Sequence, residues 1–459
     1  MAFDLAIVNT QCYTMDPQQP AAEAVGIKGN LIDAVGTDRE IEPSISTNTR
    51  VIDGEGKALL PGFNDAHTHF ASMGTRISEY LELGDVASRN ELFGKVKEEV
   101  EKTEPGEWIA GVGWDESKWE GDKKFMTKEE LDEIAPSNPL SLQRVDGHIS
   151  CVNSEALEKL DLEPTMDGFE IEDGEPTGRL MEEARFAIRK ETEPGLDAVI
   201  RGIKQATEQA HRLGVTSIQD AHVDRKKFRA YLALWNEGKL SVRSNVFFGH
   251  EDLENLRDLG LQSGFGDHFL SLGGLKLFAD GSIGAKTAWV NDGYLDAPDN
   301  HGIPIWKTDE LGEIMKQAHS SGLQVAVHAI GDRAIGNVID KFAALGPNLG
   351  RMRHRIEHCE MITRQELARL KQLDILPSMQ PNFIGEWGMP GGMYEDRFPA
   401  TKVSQLNPLA WIVEEEIPFS AGSDCMPFEP VYGIHSAVNT PHPAQRISPK
   451  EALYAYTAG

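Results

Sequence analysis

Cysteine is scarce in this sequence, and the cysteines that occur are far apart. They form no C-x-x-C pair: Cys12, Cys151, Cys359 and Cys425. This spacing argues against a zinc ribbon and against a disulfide framework. We therefore expect four reduced thiols.

Long apolar runs and an excess of basic residues are also missing. No uncharged apolar stretch approaches the roughly 18 to 20 residues that cross a bilayer. The start, Met1-Ala2-Phe3-Asp4-Leu5, has an early acid and neither the basic nor the extended apolar segment of a secretory signal. Lysine and arginine number 45 against 73 acidic residues, which gives a formal net charge of −28. We expect a cytoplasmic protein with a well-solvated acidic surface and neither a membrane nor a nucleic-acid partner.

The length of the chain allows one large domain and a smaller companion. It has 459 residues, of which 40% are hydrophobic, enough for a packed core. Residues 1–58 read as short strands separated by turn signals, with Gly29-Asn30 as a hairpin turn. We interpret them as the N-terminal part of a small β-sandwich domain.

Residues 85–200 fit a simple alternation of strands and helices poorly. They contain a charged helical stretch, a tryptophan-rich loop and an acidic excursion. Long irregular segments in compact enzymes are usually functional covers or disordered. We expect an inserted lid or subdomain here. Three candidate strands, 109–113, 140–145 and 242–248, compete for places in the main domain, and their sequences do not decide between them.

The most informative motif is Asp65-Ala66-His67-Thr68-His69, which follows an apolar run. In a strand, side chains two positions apart point the same way, so His67 and His69 present both imidazoles to one side. Such a pair is common by chance, so other groups must converge on it. Further polar residues lie in or at the ends of β-rich runs: Lys276, His328, His358 and Asp424.

A (β/α)8 barrel would bring these residues together. Its parallel strands are buried on both faces and read as short apolar runs, and its functional side chains lie at the C-terminal strand ends around one mouth. We therefore predict an α/β fold in which a TIM-like barrel spans residues 59–459. The small β-sandwich domain and the lid-like segment accompany it.

The ordered set of polar residues resembles the metal-dependent amidohydrolase superfamily, and within it amidohydrolase family 3, the group of the N-substituted formamide deformylases. Local matches to this group span most of the chain: Gly111-Val112-Gly113-Trp114-Asp115, Asp146-Gly147-His148, Gly178-Arg179-Leu180-Met181-Glu182, Lys276-Leu277-Phe278-Ala279-Asp280-Gly281-Ser282 and His328-Ala329-Ile330-Gly331-Asp332. Relatives continue beyond the position of Gly459, so the resemblance also predicts C-terminal strands of the β domain that this chain lacks.

The resemblance implies a divalent metal site, most of all for zinc, with one or two ions per chain. The implied ligands are His67, His69, Lys276, His328, His358 and Asp424. In this family the lysine reacts with CO2 to form a carbamate that bridges two ions. Burial in an apolar strand favours the neutral amine that this reaction needs. An unmodified Lys276, paired with Asp280 or contacting substrate, is the alternative.

The implied activity is hydrolysis of a non-peptide carbon–nitrogen bond in a small N-acyl or N-formyl amide. The hypothesis is that metal-bound hydroxide attacks the carbonyl and that Asp424 carries the proton to the departing amine, with Asp424 and His358 as catalytic residues. Two alternatives stay open. One is a mononuclear deaminase of a cyclic amidine, and the other is a non-catalytic regulatory protein on the same scaffold.

Substrate contacts are less well specified. The candidates are His148, Trp114, Asp115, His222 and Arg333, each with a structural role as the alternative. The loop at residues 381–399 is rich in Gly, Met, Phe and Trp, which suits either an apolar substrate group or packing. Several other histidines, including His319 and His354, fall in helices or loops where solvation explains them. A homodimer is the default expectation.

Overall fold

The computed structural model describes residues 2–145, 147–160, 162–163, 165–306, 308–346 and 349–459. Asp146 of the motif Asp146-Gly147-His148 lies outside the described residues. The chain divides into two compact units. The first comprises Met1–His69, Gln209–Asp224 and Leu240–Gly459, and the second comprises Phe70–Glu208 and Arg225–Lys239.

Eight parallel strands form the main sheet of the first unit. In chain order they are β1 (Phe63–Thr68), β2 (Val215–Val223), β3 (Arg243–Gly249), β4 (Leu270–Phe278), β5 (Gln324–Ala329), β6 (Arg355–His358), β7 (Leu376–Met379) and β8 (Ser420–Ala421). Each pairs with the next. Asp424 N donates to His67 O at 2.8 Å, so the segment after β8 returns to β1. The nearly closed barrel confirms the predicted fold class.

Near-continuous burial explains why these strands read as short apolar runs. In β4, Leu272, Leu275 and Leu277 are all buried, and in β5 so are Val325 and Val327. Parallel strands covered on both faces require this pattern. The candidate strand at residues 242–248 corresponds to β3 and is part of the barrel.

The first unit contains several helices, most of which connect or flank these strands. They are Asp38–Ile41, Leu253–Asp258, Thr308–Ser320, Asp332–Ala344, Leu349–Met352, Arg364–Leu373, Pro381–Trp387, Met393–Arg397, Ala400–Val403, Leu409–Glu414, Pro430–Asn439 and Pro449–Ala455, with 3-10 turns at Glu42–Ser44 and His250–Asp252. Local sequence sets their ends. Thr363 and Glu366 form a capping box before Arg364–Leu373, and the left-handed Asp374, with φ 58°, ends that helix.

The N-terminal residues form two small sheets. In sheet order, the four-stranded one comprises Leu31–Gly36, Ala24–Lys28, Leu5–Val8 and Arg50–Asp53, and the three-stranded one comprises Ala21–Ala22, Gln11–Tyr13 and Ala58–Leu59. Gly29 has φ 59°, the left-handed conformation that the predicted hairpin turn needs.

The second unit contains a six-stranded sheet. Its order is Phe169–Glu172, Glu175–Met181, Ile149–Val152, Leu140–Arg144, Ile109–Trp114 and Leu81–Glu82. The helices that begin in this unit are Phe70–Glu79, Arg89–Val100, Lys128–Ile134, Ser154–Lys159, Glu182–Glu191, Leu196–Arg212 and Arg225–Asn236, with a 3-10 turn at Glu116–Lys118. The candidate strands at 109–113 and 140–145 therefore lie outside the barrel. Among the described residues, no helix combines the length and apolar character that crossing a membrane requires.

The expectation of a solvated His354 is wrong. His354 is fully buried, and its ring stacks on Phe342 with centroids 5.4 Å apart. Its Nδ1 accepts from Val325 N at 2.9 Å, and its Nε2 lies 2.8 Å from His319 Nδ1. Burial, together with His319, lowers the pKa of His354 to about 3. Both ring nitrogens are used by the neutral form, which makes His354 part of the core.

We expect this histidine to make the fold sensitive to acid. Its pKa is depressed on folding, so the stability it contributes is present above the unfolded pKa of about 6.5 and is lost as pH falls toward about 3. The free energy of unfolding changes through this one group by at most about 1.4 kcal/mol per pH unit. The free energy of unfolding would be measured in urea at about pH 7 and about pH 5. Between these two pH values it should fall less for His354→Gln than for the parent chain. An equal pH dependence in both proteins would refute the assignment.

Candidate metal centre

The six predicted ligands all lie toward the C-terminal ends of barrel strands. His67, Lys276, His328 and His358 lie within β1, β4, β5 and β6, His69 directly follows β1, and Asp424 follows β8. Because the strands are parallel, these ends meet at one rim.

Asp424 lies against both histidines of the H-x-H motif. Its Oδ1 is 3.2 Å from His69 Nε2 and 3.6 Å from His67 Nε2. Lys276 is fully buried, and its Nζ is 3.4 Å from His67 Nε2. Lys276 of β4 and Asp424, which follows β8, thus both lie within a few ångströms of His67 in β1.

His358 extends the cluster and gives it the properties of a metal site. Its ring centroid is 4.8 Å from that of His67 and 4.4 Å from that of His328. One ligand atom each from His67, His358 and Asp424 lie within 4.8 Å of one another. Among the described residues, His358 Nδ1 is buried without a hydrogen-bond partner. A buried, unsatisfied imidazole nitrogen beside a carboxylate fits a divalent ion.

A buried carboxylate that the sequence interpretation missed orients His67. Glu357 Oε2 accepts from His67 Nδ1 at 2.5 Å, which leaves His67 Nε2 as the lone-pair nitrogen. Arg355 Nε donates to Glu357 Oε1 at 2.5 Å, and its terminal nitrogens donate to Gln219 Oε1 and Ala66 O. A carboxylate on the second nitrogen is the usual way in which a metal-binding histidine is held in one tautomer.

His69 and His328 are held in a comparable way by backbone carbonyls. His69 Nδ1 donates to Ala221 O at 2.8 Å, which leaves Nε2 facing Asp424. His328 Nε2 donates to Gly281 O at 3.1 Å, which leaves Nδ1 as its ligand atom. Each imidazole therefore offers one defined nitrogen.

Two of the predicted ligands, His358 and Asp424, have a left-handed backbone conformation. The φ angles are 73° at His358 and 53° at Asp424, a region that residues other than glycine rarely adopt and that concentrates at functional sites. In a regular strand, Glu357 and His358 would point to opposite faces. The conformation of His358 ends this alternation, so both side chains reach His67.

Electrostatics favours neutral histidines and a charged aspartate. Burial lowers the pKa values of His67 and His358 well below the ordinary value, as metal binding requires. Burial also lowers the pKa of Lys276 to about 8. For Asp424, burial alone would raise the pKa, but the neighbouring His69, His67 and Lys276 lower it below its usual range.

Two further buried carboxylates fix the surrounding loops. Asp65 Oδ1 accepts from Ser423 N at 2.8 Å and from His67 N at 3.3 Å, which ties β1 to the segment that carries Asp424. Asp280 accepts from three backbone N–H groups, those of Trp289, Ile330 and Gly331. Burial raises the pKa of both carboxyl groups to about 7.

Comparison with known families agrees with this geometry. The family model described as Amidohydrolase family (Amidohydro_3) matches residues 50–459, which include all six ligands. This chain belongs to that amidohydrolase family. It is a hydrolase of this family with a candidate His/His/Asp metal site, and the predicted recognition is confirmed.

Similarities over most of the chain support the assignment. Protein LONG AFTER FAR-RED 3 from Arabidopsis thaliana is 32% identical over 83% of this chain and 68% of its own length. The N-substituted formamide deformylase from Arthrobacter pascens is 26% identical over 99% of this chain and 88% of its own. The crystal structure of an uncharacterised metal-dependent hydrolase from Pyrococcus furiosus shares 29% identity with a TM-score of 0.84, and covers 98% of this chain and 92% of that one.

Two of the predicted substrate contacts of this amidohydrolase have structural roles in the second unit. Trp114 is fully buried, and its Nε1 donates to Leu142 O at 2.9 Å, which argues against a direct contact with substrate. Asp115 caps the turn that follows, accepting from Ser117 N at 3.1 Å and from Ser117 Oγ at 2.6 Å. The hydrogen bond from the Ser117 side chain lowers the pKa of Asp115.

The other three predicted contacts lie in different places. His148 lies in the second unit, directly before Ile149–Val152. His222 lies near the end of β2 with φ 69°, and its ring centroid is 5.4 Å from that of Phe278 in β4. Arg333 is exposed, and its guanidinium lies 4.7 Å from the Trp289 ring centroid. A role in substrate binding stays a prediction for all five residues.

The segment at residues 381–399, expected to be a loop, contains the helices Pro381–Trp387 and Met393–Arg397 and packs against His358 of the ligand cluster. Phe383 is buried, and its ring is nearly parallel to that of His358, with centroids 5.8 Å apart. Tyr394 and Phe398 are also buried, whereas Trp387 is half-buried. Most of the aromatic side chains of this segment therefore serve packing.

Proposed function

We propose that this amidohydrolase hydrolyses a non-peptide carbon–nitrogen bond in a small N-formyl or N-acyl amine, with divalent metal, zinc first of all. The observation that carries the proposal is the convergence of His67, His358 and Asp424 within 4.8 Å. Similarity to an N-substituted formamide deformylase over 99% of this chain supports the formamide class.

Two ions per chain suit the donor set. His67, His69 and Asp424 would hold one ion, and His328 and His358 a second. Lys276 lies beside the first group, since its Nζ is 3.4 Å from His67 Nε2. Its lowered pKa, about 8, makes the neutral amine available near physiological pH. Carbamylation by CO2 would turn this amine into a bridging anionic ligand.

The chain's own residues would orient the substrate and move the proton. A divalent ion bound there would polarise the substrate carbonyl and lower the pKa of a water ligand to about 7. Asp424, which its lowered pKa keeps ionised, is the base that takes a proton from the attacking water. The same carboxyl then gives the proton to the leaving nitrogen, because an unprotonated amide nitrogen is a poor leaving group.

Metal content tests the bridging role of Lys276. Purified chain should hold about two ions, and Lys276→Ala should hold about one or none and lose turnover. Lys316→Ala, which removes an exposed lysine from Thr308–Ser320, is the matched control and should keep both ions. The measurement is metal analysis by inductively coupled plasma mass spectrometry. Full metal occupancy and full activity in Lys276→Ala would refute the bridging role of Lys276.

A substrate panel separates the alternatives. N-alkyl formamides, N-acyl amines and cyclic amidines would be supplied with zinc, and formate, carboxylic acid or ammonia would be quantified. Release of formate or carboxylic acid with amine supports the proposal. One ion per chain with ammonia release from an amidine would point to the mononuclear deaminase, and a metal-free, inactive chain to the regulatory protein.

A further inference from the structure

A polar cavity lies in the first unit at the opposite, N-terminal end of the barrel strands. Its volume is about 580 Å³. Residues at the starts of strands line it, among them Asn64 of β1, Arg243 of β3 and Gln324 of β5. None of the six predicted metal ligands lines it. The cavity is therefore separate from the candidate metal centre.

All charged side chains that line this cavity are basic. Arg243, Arg351 and Arg353 line it together with His268, and none of the lining residues is an aspartate or glutamate. The whole chain, by contrast, has 73 acidic against 45 basic residues. The charge of this wall, with three arginines and no carboxylate, is thus opposite in sign to the net charge of the chain. Such a wall attracts anions, which an acidic surface repels.

Hydrogen bonds fix the loops that carry the basic residues. Gln324 Nε2 donates to Arg353 O, which ties the segment before β6 to β5. Gln324 N donates to Ser263 Oγ at 2.7 Å, and Ser263 Oγ donates to Gly273 O at 2.5 Å. The cavity wall is therefore held by the barrel's own strands.

Neighbouring side chains add donors and restrain one arginine. The guanidinium of Arg243 lies 5.5 Å from the Phe269 ring centroid, a cation–π contact. Ser271 Oγ donates to Asn245 Oδ1 at 3.0 Å, which leaves the Asn245 NH2 group as a donor. Gln219 likewise uses its Oε1 to accept from Arg355, so its NH2 group also remains a donor.

We propose that this cavity binds a phosphate group, either free or as the monoester of a small molecule. Guanidinium groups pair with phosphate oxygens through two parallel hydrogen bonds, a geometry that a lysine cluster lacks. The cavity lies in the size range of small-molecule sites. With no carboxylate in its wall, nothing there competes with the ligand for the arginines.

Calorimetry on the metal-loaded full chain tests this site. Inorganic phosphate and ribose 5-phosphate would be titrated at low ionic strength, where charge pairing is least screened. The test variant is Arg351→Gln/Arg353→Gln. The matched control, Arg39→Gln/Arg50→Gln, removes the same charge from exposed positions that do not line the cavity. We expect at least about tenfold weaker binding in the test variant and parent-like binding in the control.

The outcomes separate this site from the metal centre. Tighter binding of ribose 5-phosphate supports a phosphorylated small molecule, and equal binding supports free phosphate. Binding that survives Arg351→Gln/Arg353→Gln but disappears in Asp424→Asn would assign the anion to the metal centre and overturn the proposal. Absence of binding to the parent chain would overturn it too. Arg243→Gln, tested separately, should also weaken binding.

Discussion

Replacing Asp424 by asparagine is expected to lower kcat by about 10²- to 10⁴-fold, the contribution of a positioned general acid–base group. Asparagine is nearly isosteric and can still offer an oxygen toward His69, whose Nε2 lies 3.2 Å from the carboxylate. It cannot accept and return a proton. The measurement is turnover of an N-formyl alkylamine, with metal content determined on the same sample.

The leaving group distinguishes proton transfer from metal binding. A formanilide with an electron-withdrawing ring releases a weakly basic aniline. This leaving group needs less protonation than the alkylamine that an N-formyl alkylamine releases. The loss in Asp424→Asn should therefore be smaller for the anilide. An equal loss for both substrates, together with a fall in metal content, would mean that Asp424 serves only as a ligand.

The barrel was predictable because its strands obey simple rules of burial. Strands covered on both faces must be apolar, so a polar residue at the end of such a strand stands out. Lys276 and His328 were singled out in this way, and the structure brings Lys276 beside His67 and His328 beside His358. The period-two geometry of the H-x-H motif also held, since His67 and His69 both face Asp424.

Membership of the barrel was harder to predict for strands of the second unit. Ile109–Trp114 and Leu140–Arg144 pair in parallel, like barrel strands, but lie in a separate mixed sheet. Local hydrophobicity cannot tell which sheet an apolar strand joins, because pairing depends on distant residues. The surroundings of Trp114 were unpredictable for a similar reason, since only the structure reveals that its indole N–H is satisfied by Leu142 O.

The carboxylate next to His358 was overlooked, although the sequence carried a signal. Arg355 and Glu357 alternate in a strand whose residues are all buried, and buried charges are normally paired or functional. What the sequence cannot reveal is the left-handed φ of 73° at His358. Strand alternation would place Glu357 and His358 on opposite faces, so a strict strand interpretation admits only one of them to the site.

Glu357→Gln is expected to weaken metal binding or turnover by about 10- to 100-fold, the usual effect of losing a residue that orients a metal-binding histidine. Glutamine can still accept from His67 Nδ1, but it no longer carries the negative charge that makes this imidazole a stronger ligand. It also leaves the buried Arg355 without its anionic partner, and breaking a buried ion pair destabilises by about 3–5 kcal/mol. Metal affinity by competition with a chelating dye and unfolding in urea measure the two effects.

A second variant separates positioning from folding. Glu357→Gln/Arg355→Gln removes the unpaired charge together with the carboxylate, so it should regain much of the lost stability. Metal affinity should stay low, because nothing restores the charge on the partner of His67 Nδ1. Recovery of both stability and metal affinity in the double variant would mean that Glu357 acts only by neutralising Arg355. The pair of measurements therefore tests whether the metal centre depends on this carboxylate or merely on the fold around it.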